Sequence, residues 1–251
     1  MQIERQEQEW NELVTPDPYW AILTSPGKRF GGWDEGDSFA TGTASAAAVV
    51  DQMVRLGHPR QRQRALDFGC GLGRMTRAFA HYFDECVGVD ISEKMVRQAM
   101  EHNAGISGVS FAVNRATDLG QFDDRSFDFV YSAIALQHVP DRGTIEAYIR
   151  EFCRLLRPEG LVAFELPSHI PAIFRLQWRR RLYSGLRRLG LDAQFVYRRL
   201  HLLPIAMSYI PESAIMRLFE STGVRVLHVE TLSASGLLNA GVKSTTYYAT
   251  R

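Results

Sequence analysis

The run Ala65–Ala80, ALDFGCGLGRMTRAFA, decides the reading of this chain, together with Asp90, seventeen residues beyond Gly73. Ala65–Phe68 reads as a short apolar strand with Asp67 near its end, and Gly69, Gly71 and Gly73 form a loop that opens directly into the helical pattern Met75–Phe83. Glycines at such a turn allow left-handed backbone and let a ligand approach without a Cβ in the way. A second strand, Cys86–Val89, ends on the carboxylate of Asp90.

The spacing of the glycines discriminates between nucleosides. A dinucleotide loop reads G-x-G-x-x-G, its third glycine letting helix and strand pack closely. From Gly69 and Gly71 that third position is Arg74, so the run is acid-x-Gly-x-Gly-x-Gly instead. This resembles the first motif of class I S-adenosylmethionine (SAM) dependent methyltransferases. The resemblance implies a loop lying under the methionine and ribose of SAM, with Asp90 binding the ribose hydroxyls and Ile91 and Met95 counted beside it. Asp67 would orient the loop or the methionine amine, and Arg74 would reach a carboxylate or form a structural salt bridge.

The rest of the chain alternates strand and helix patterns, as a parallel sheet covered on both faces requires. Ala44–Leu56 reads as an amphipathic helix after Thr41-Gly42-Thr43, and Ser92 reads as the cap of a helix Glu93–Asn103. Val109–Val113 is a third strand, Phe127–Ser132 a fourth, Thr144–Leu156 a helix, and Leu161–Leu166 a fifth strand after the turn Arg157-Pro158-Glu159-Gly160. Pro211–Thr222 has proline at its start and Gly223 at its end, as helix termini prefer. Val224–Thr231 and Ser244–Thr250 close the series as strands. The FDFVYS, LLRPEG and LVAFEL runs also look like motifs of the same family. Its fold is the expectation here: an α/β, doubly wound, mostly parallel seven-stranded sheet of order 3-2-1-4-5-7-6, strand 7 antiparallel, with helices on both faces and a helical insertion after strand 5. In that family the loop after strand 3 borders the adenine, which selects Ala116, Thr117 and Asp118, and the tip of strand 4 places Ser132 and Ala133 beside the methionine end of SAM.

Two segments fall outside the resemblance. Residues 1–43 are expected to be an aromatic N-terminal cover over residues 44–251. They open with a frayed polar helix over Gln2–Asn11, and Tyr19, Trp20, Phe30 and Trp33 follow in a segment rich in Pro and Gly. Those aromatics either staple a loop to the surface or cover the pocket, and Trp20 and Trp33 are the candidates for touching an acceptor. Residues 169–210 are expected to be an inserted helical lid. They hold Arg175, Arg179, Arg180, Arg181, Arg187, Arg188, Arg198 and Arg199 against one acid, Asp192, with apolar residues interleaved in one or two amphipathic helices. This is either a solvated arginine face or a basic surface for an acceptor, an anionic carrier or a membrane. Trp178 is its candidate acceptor contact.

Composition narrows the classes. The chain has 251 residues, 45% hydrophobic and 23% charged, with net charge +1, which argues against a general nucleic-acid binder. Its three cysteines, Cys70, Cys86 and Cys153, lack C-x-x-C spacing and fit a reducing cytoplasm. No signal peptide or membrane span is read, and no cluster has metal-ligand spacing, so the expected cofactor is SAM, giving S-adenosylhomocysteine (SAH), with no metal. Methyl transfer chiefly needs alignment and exclusion of water, and a hydroxyl acceptor profits from a base. His138, after strand 4, is the catalytic candidate, and His169, past strand 5, the second. Ser132-Ala133-Ile134-Ala135 stands where amine methylases carry Asn/Asp-Pro-Pro-Tyr/Phe, which argues against a protein or nucleic-acid methyltransferase. The favoured reading is O-methylation of a small molecule, a secondary metabolite, sugar or lipid-linked hydroxyl, with N- and C-methylation open. A SAM-binding enzyme without methyl transfer, cyclase-like, and a non-enzymatic binding protein on this scaffold are the alternatives. Oligomeric state is left open.

Overall fold

The computed structural model describes residues 2–15, 17–23, 28, 31–233 and 241–251. Seven strands, β1 (Arg64–Phe68), β2 (Glu85–Asp90), β3 (Val109–Val113), β4 (Phe127–Ser132), β5 (Leu156–His169), β6 (Arg225–Ser233) and β7 (Lys243–Thr250), form one sheet of order 3-2-1-4-5-7-6. β1 runs parallel to β2 and β4, β4 parallel to β5, and β7 antiparallel to both β5 and β6. The expected topology is therefore the observed one.

The alternation of side chains along each strand divides the core in two. Leu66, Val130, Val162 and Phe164 face one side, with Ile149, Phe152 and Phe219. Ala65, Phe129, Tyr131, Leu161 and Ala163 face the other, with Val50, Met53 and Phe79. Both faces are covered, so the central strands read as continuous apolar runs. Phe79 meets Phe129 edge-on at 5.3 Å, and truncating a fully buried ring of this kind costs about 3–5 kcal/mol.

Ten helices are described: α1 (Gln2–Val14), α2 (Pro18–Ile22), α3 (Glu35–Leu56), α4 (Arg74–Phe79), α5 (Glu93–His102), α6 (Arg142–Leu155), α7 (Ala172–Arg175), α8 (Trp178–Arg188), α9 (Ala193–Leu200) and α10 (Glu212–Thr222). Ser92 caps α5 as read, accepting the Met95 N–H. Helix α3 begins nine residues before the position read from Ala44, with Asp34 as its cap. Thr41-Gly42-Thr43 is no break: Gly42 sits inside the helix because a Cβ there would lie 2.5 Å from Arg74 Cγ. The ladder of β5 likewise starts earlier than Leu161. It absorbs Arg157–Gly160 as an irregularity, with Glu159 at φ 61°. The insertion holds three helices, α7, α8 and α9. Pro26–Gly27 and Phe30 of the aromatic segment lie outside the described residues.

Candidate functional site

In an open parallel sheet the ligand crevice lies beyond the carboxyl ends of the strands, where the strand order reverses. Here that point falls between β1 and β4, and a cleft of about 760 Å³, its open mouth included, lies there. Phe68, Gly69 and Gly71 supply its floor, Asp90, Ile91 and Met95 one wall, Asn114 the end of β3, and Ala133, Ala135 and His138 the wall after β4.

The glycine loop is held tightly. Gly69 has φ +77°, and a Cβ on it would lie 2.2 Å from the Cβ of Ala135. Gly73 has φ +82°, and its Cβ would enter the ring of Phe111. Asp90 ties loop to wall: its Oδ2 accepts the Gly71 N–H at 3.0 Å and its Oδ1 accepts the Ser92 N–H at 2.9 Å. Burial pushes the Asp90 carboxyl above the usual range, and the backbone N–H groups of Ser92, Gly71 and Ile91 oppose this. Three N–H groups on about four lone-pair sites still leave Asp90 an acceptor for a ligand hydroxyl.

Asp67 lies below the loop, outside the cleft lining. It accepts the Thr76 hydroxyl at 2.6 Å and so fastens the start of α4 to β1. Burial raises its pKa to about 6, against the Thr76 hydrogen bond and the Arg74 charge. Arg74 turns from the cleft toward α3, donating to Thr41 Oγ1 at 3.3 Å and Ser45 Oγ at 3.5 Å. Gly73 and Ser132 also stand outside the lining, Ser132 with a buried Oγ lacking a partner.

Of the loop after β3, Ala116, Thr117 and Asp118 are exposed and do not line the cleft. They are held from behind: Asn114 Nδ2 donates to Asp118 O at 3.1 Å, and Tyr148 Oη donates to Ala116 O at 2.6 Å. Asn114 and Tyr148 reach the cleft themselves, and the sequence reading missed both. It also missed Ile134, a β-branched residue at φ 60° on the cleft wall. Backbone strain of this kind costs on the order of 1–3 kcal/mol and gathers at functional sites.

His138 lines the cleft. Its Nδ1 lies 2.9 Å from Ala206 O, a contact that requires Nδ1–H as donor, so Nε2 carries the lone pair. The Gln137 amide reaches that Nε2 at 3.1 Å. Desolvation lowers the His138 pKa to about 4, keeping the ring neutral at pH 7.

The N-terminal segment reaches the cleft through residues other than those expected. Gln6 and Trp10 of α1 and Ala21 and Ile22 of α2 line it, and the Trp10 indole meets His138 edge-on at 5.4 Å. Trp20 instead packs inward beside Tyr197, with ring centroids 6.0 Å apart. Trp33 donates Nε1–H to Leu23 O at 2.9 Å, and Lys28 stands over its ring. His169 is exposed at the end of β5, and Trp178 is exposed on α8. None of these four joins the lining.

Charge pairs hold α1 in place. Arg115 forms two bonds of 2.8 Å to Glu7 and a third to Glu93. Arg180 meets Glu9 at 3.1 Å, Arg187 meets Glu12 at 2.9 Å, and Tyr183 donates to Glu12 at 2.8 Å. Part of the arginine excess in the insertion is thus matched by acids 171 and 175 residues away. Among the described residues no group of His, Cys, Asp or Glu converges as a metal site, and no helix is long and apolar enough to cross a membrane.

Residues 66–164 match the family described as "Methyltransferase domain". Malonyl-[acyl-carrier protein] O-methyltransferase of Methylococcus capsulatus is 32% identical over 180 residues, 67% of this chain and 62% of that protein. An uncharacterized methyltransferase of Bacillus subtilis is 34% identical over 110 residues, 43% of this chain and 42% of that one. The chain spans less than half the length of the first curated relatives it matches. In three dimensions it resembles the magnesium protoporphyrin IX methyltransferase of Synechocystis, crystallised with SAH. The TM-score is 0.63 at 19% identity, and the match covers the whole of both chains. Residues 66–164 thus resemble a methyltransferase domain, and the seven-stranded sheet has the class I, Rossmann-like methyltransferase fold.

Proposed function

We propose that the chain transfers a methyl group from SAM to a hydroxyl of a small-molecule acceptor. The observation that carries this reading is the cleft at the strand ends, with an intact glycine loop as floor and Asp90 in its wall. The donor set fits SAM: Asp90 would hold the ribose hydroxyls, Gly69 and Gly71 give close backbone approach, and Ile91, Met95 and Ala133 supply apolar wall. When bound, SAM supplies a methyl already activated on a sulfonium.

The chain's own work is alignment and exclusion of water. Trp10 and Ile22 close the cleft from the cap, and Ile134, at its rim, bounds the acceptor side. His138 presents a neutral imidazole whose Nε2 accepts, with the Gln137 amide now in the place an acceptor hydroxyl would take. A pKa of about 4 makes stepwise removal of a phenolic proton uphill by roughly 8 kcal/mol. We therefore assign His138 the role of orienting the hydroxyl and receiving its proton only as the methyl moves.

Calorimetric titration of SAM and SAH tests the reading. Asp90→Ala removes charge-assisted hydrogen bonds and should weaken binding by roughly 1.5–3 kcal/mol. A folded wild-type protein that binds neither ligand overturns the proposal. The His138 imidazole resonance should stay in its neutral position between pH 8 and 5, and a titration midpoint near the ordinary value would remove the role given to it.

A further inference from the structure

Helix α8 is amphipathic in the wrong sense for a core helix. Arg180, Tyr183 and Arg187, at i, i+3 and i+7, share its inward face and are engaged by Glu9 and Glu12 of α1. Trp178 and Leu182 of the helix, with Leu189 at its cap, recur at i, i+4 and i+11 on the opposite face. They are 56%, 47% and 79% exposed. Arg181 and Arg188 run beside that apolar stripe, and Arg179 stands on its other flank near the Trp178 ring.

The next helix repeats the pattern. Val196 and Tyr197 of α9 are buried, whereas Phe195 points outward, 49% exposed, with Arg198 and Arg199 on either side of it. Leaving Trp, Leu and Phe in water wastes their burial energy unless something covers them. Among the described residues no acidic side chain pairs with Arg181, Arg188, Arg198 or Arg199.

We propose that this outward face of α8 and α9 docks on an anionic lipid bilayer. Arginines beside an apolar stripe bearing Trp and Phe match the two layers of a membrane interface: guanidinium against phosphate, rings and Leu against acyl chains. The inward face of α8 holds α1, and α1 roofs the cleft, so docking places the bilayer on the cap side of the site. The acceptor would then be one that resides in the lipid phase. That last step rests on the proposed methyl transfer; the docking surface does not.

The test is sedimentation of the full chain with vesicles of phosphatidylcholine alone and of phosphatidylcholine mixed equally with phosphatidylserine. Binding to the mixed vesicles only, weakening as salt is raised, is expected. Each arginine near an anionic surface is worth about fivefold in partitioning, so Arg188→Ala with Arg199→Ala should lower it about 25-fold. Leu182→Ser with Leu189→Ser should lower it as well. Both double variants should keep the wild-type melting temperature and SAM titration, which separates loss of docking from loss of fold or cofactor site. The proposal is overturned if the wild type ignores anionic vesicles at low salt, or if the variants partition like the wild type. It is also overturned if the Leu pair instead dissolves a dimer seen by sedimentation velocity. Capture of a purified acidic carrier protein by this face, with vesicles left unbound, overturns it in favour of a protein partner.

Discussion

Substituting Gly69 by alanine separates two costs that coincide at the centre of the site. The first is conformational: at φ +77° an L side chain is strained by about 1–2 kcal/mol. The second is steric, because the new Cβ would stand 2.2 Å from the Cβ of Ala135, where ordinary contact begins at 3.4 Å. One of them must move by about 1 Å, and overpacking of this kind costs about 1–3 kcal/mol. The sum is about 2–5 kcal/mol. Gly57 supplies the control: it has φ +69° and nothing within 4 Å of its ideal Cβ, so Gly57→Ala should cost only the conformational part. Ala135→Gly removes the obstructing carbon and leaves Cα at 3.6 Å, an ordinary contact. The double variant Gly69→Ala/Ala135→Gly should therefore recover about 1–3 kcal/mol relative to the sum of the single changes. Urea unfolding of the four variants measures the cycle, and SAM titration reads the loop. If Gly69→Ala costs no more than Gly57→Ala, or if the cycle closes with no coupling, the loop is not pressed against the tip of β4 and the argument fails.

Asp67 predicts a pH dependence. Its folded pKa, about 6, exceeds the ordinary 3.8, so its share of stability is complete below about pH 4 and is lost as pH rises through 6. The loss is about 3 kcal/mol. Asp67→Asn keeps an acceptor for Thr76, so its advantage over the wild type in urea should grow from pH 4 to 7; a constant gap would refute the raised pKa. Glu9→Gln with Glu12→Gln removes the charge from two of the seams that hold α1 to its neighbours. Hydrogen exchange in α1 should quicken and SAM should leave faster, with the global unfolding midpoint changed little; unaltered exchange would mean that apolar contacts alone hold the cap.

What was legible in the sequence was what short-range chemistry dictates. The glycine loop, the acid at the end of β2, the Ser92 cap and the strand–helix alternation all act within a few residues, whereas the sheet order came from the family resemblance. Two boundaries were misread for one reason. Thr41-Gly42-Thr43 and Arg157–Gly160 carry the composition of turns, yet tertiary contact draws both into regular elements: Arg74 against Gly42 in one case, the pairing of β4 with β5 in the other. Gln6, Trp10 and Ile22 could not be assigned to the cleft, because their position depends on where α1 and α2 dock. That docking combines the apolar cluster of Leu13, Val14, Trp20 and Met95 with Glu9–Arg180 and Glu12–Arg187, partners 171 and 175 residues apart.

The charge distribution has a physical logic that no local window reveals. The insertion reads as a lopsided run of arginines with one acid, and α1 as a polar helix with little to bury. Each looks incomplete because the other holds its counter-ions. Pairing uses Arg180 and Arg187 and turns the inward face of α8 into a polar seam. Tyr183 and Leu186 still pack inward with Val196 and Leu202, whereas Trp178, Leu182 and Leu189 are left the opposite face. The ion pairs of that seam are largely shielded from water, their side chains 16–31% exposed. The same choice exposes Trp178, Leu182 and Leu189, and so the polar seam under α1 and the outward apolar stripe are two consequences of one arrangement of charges.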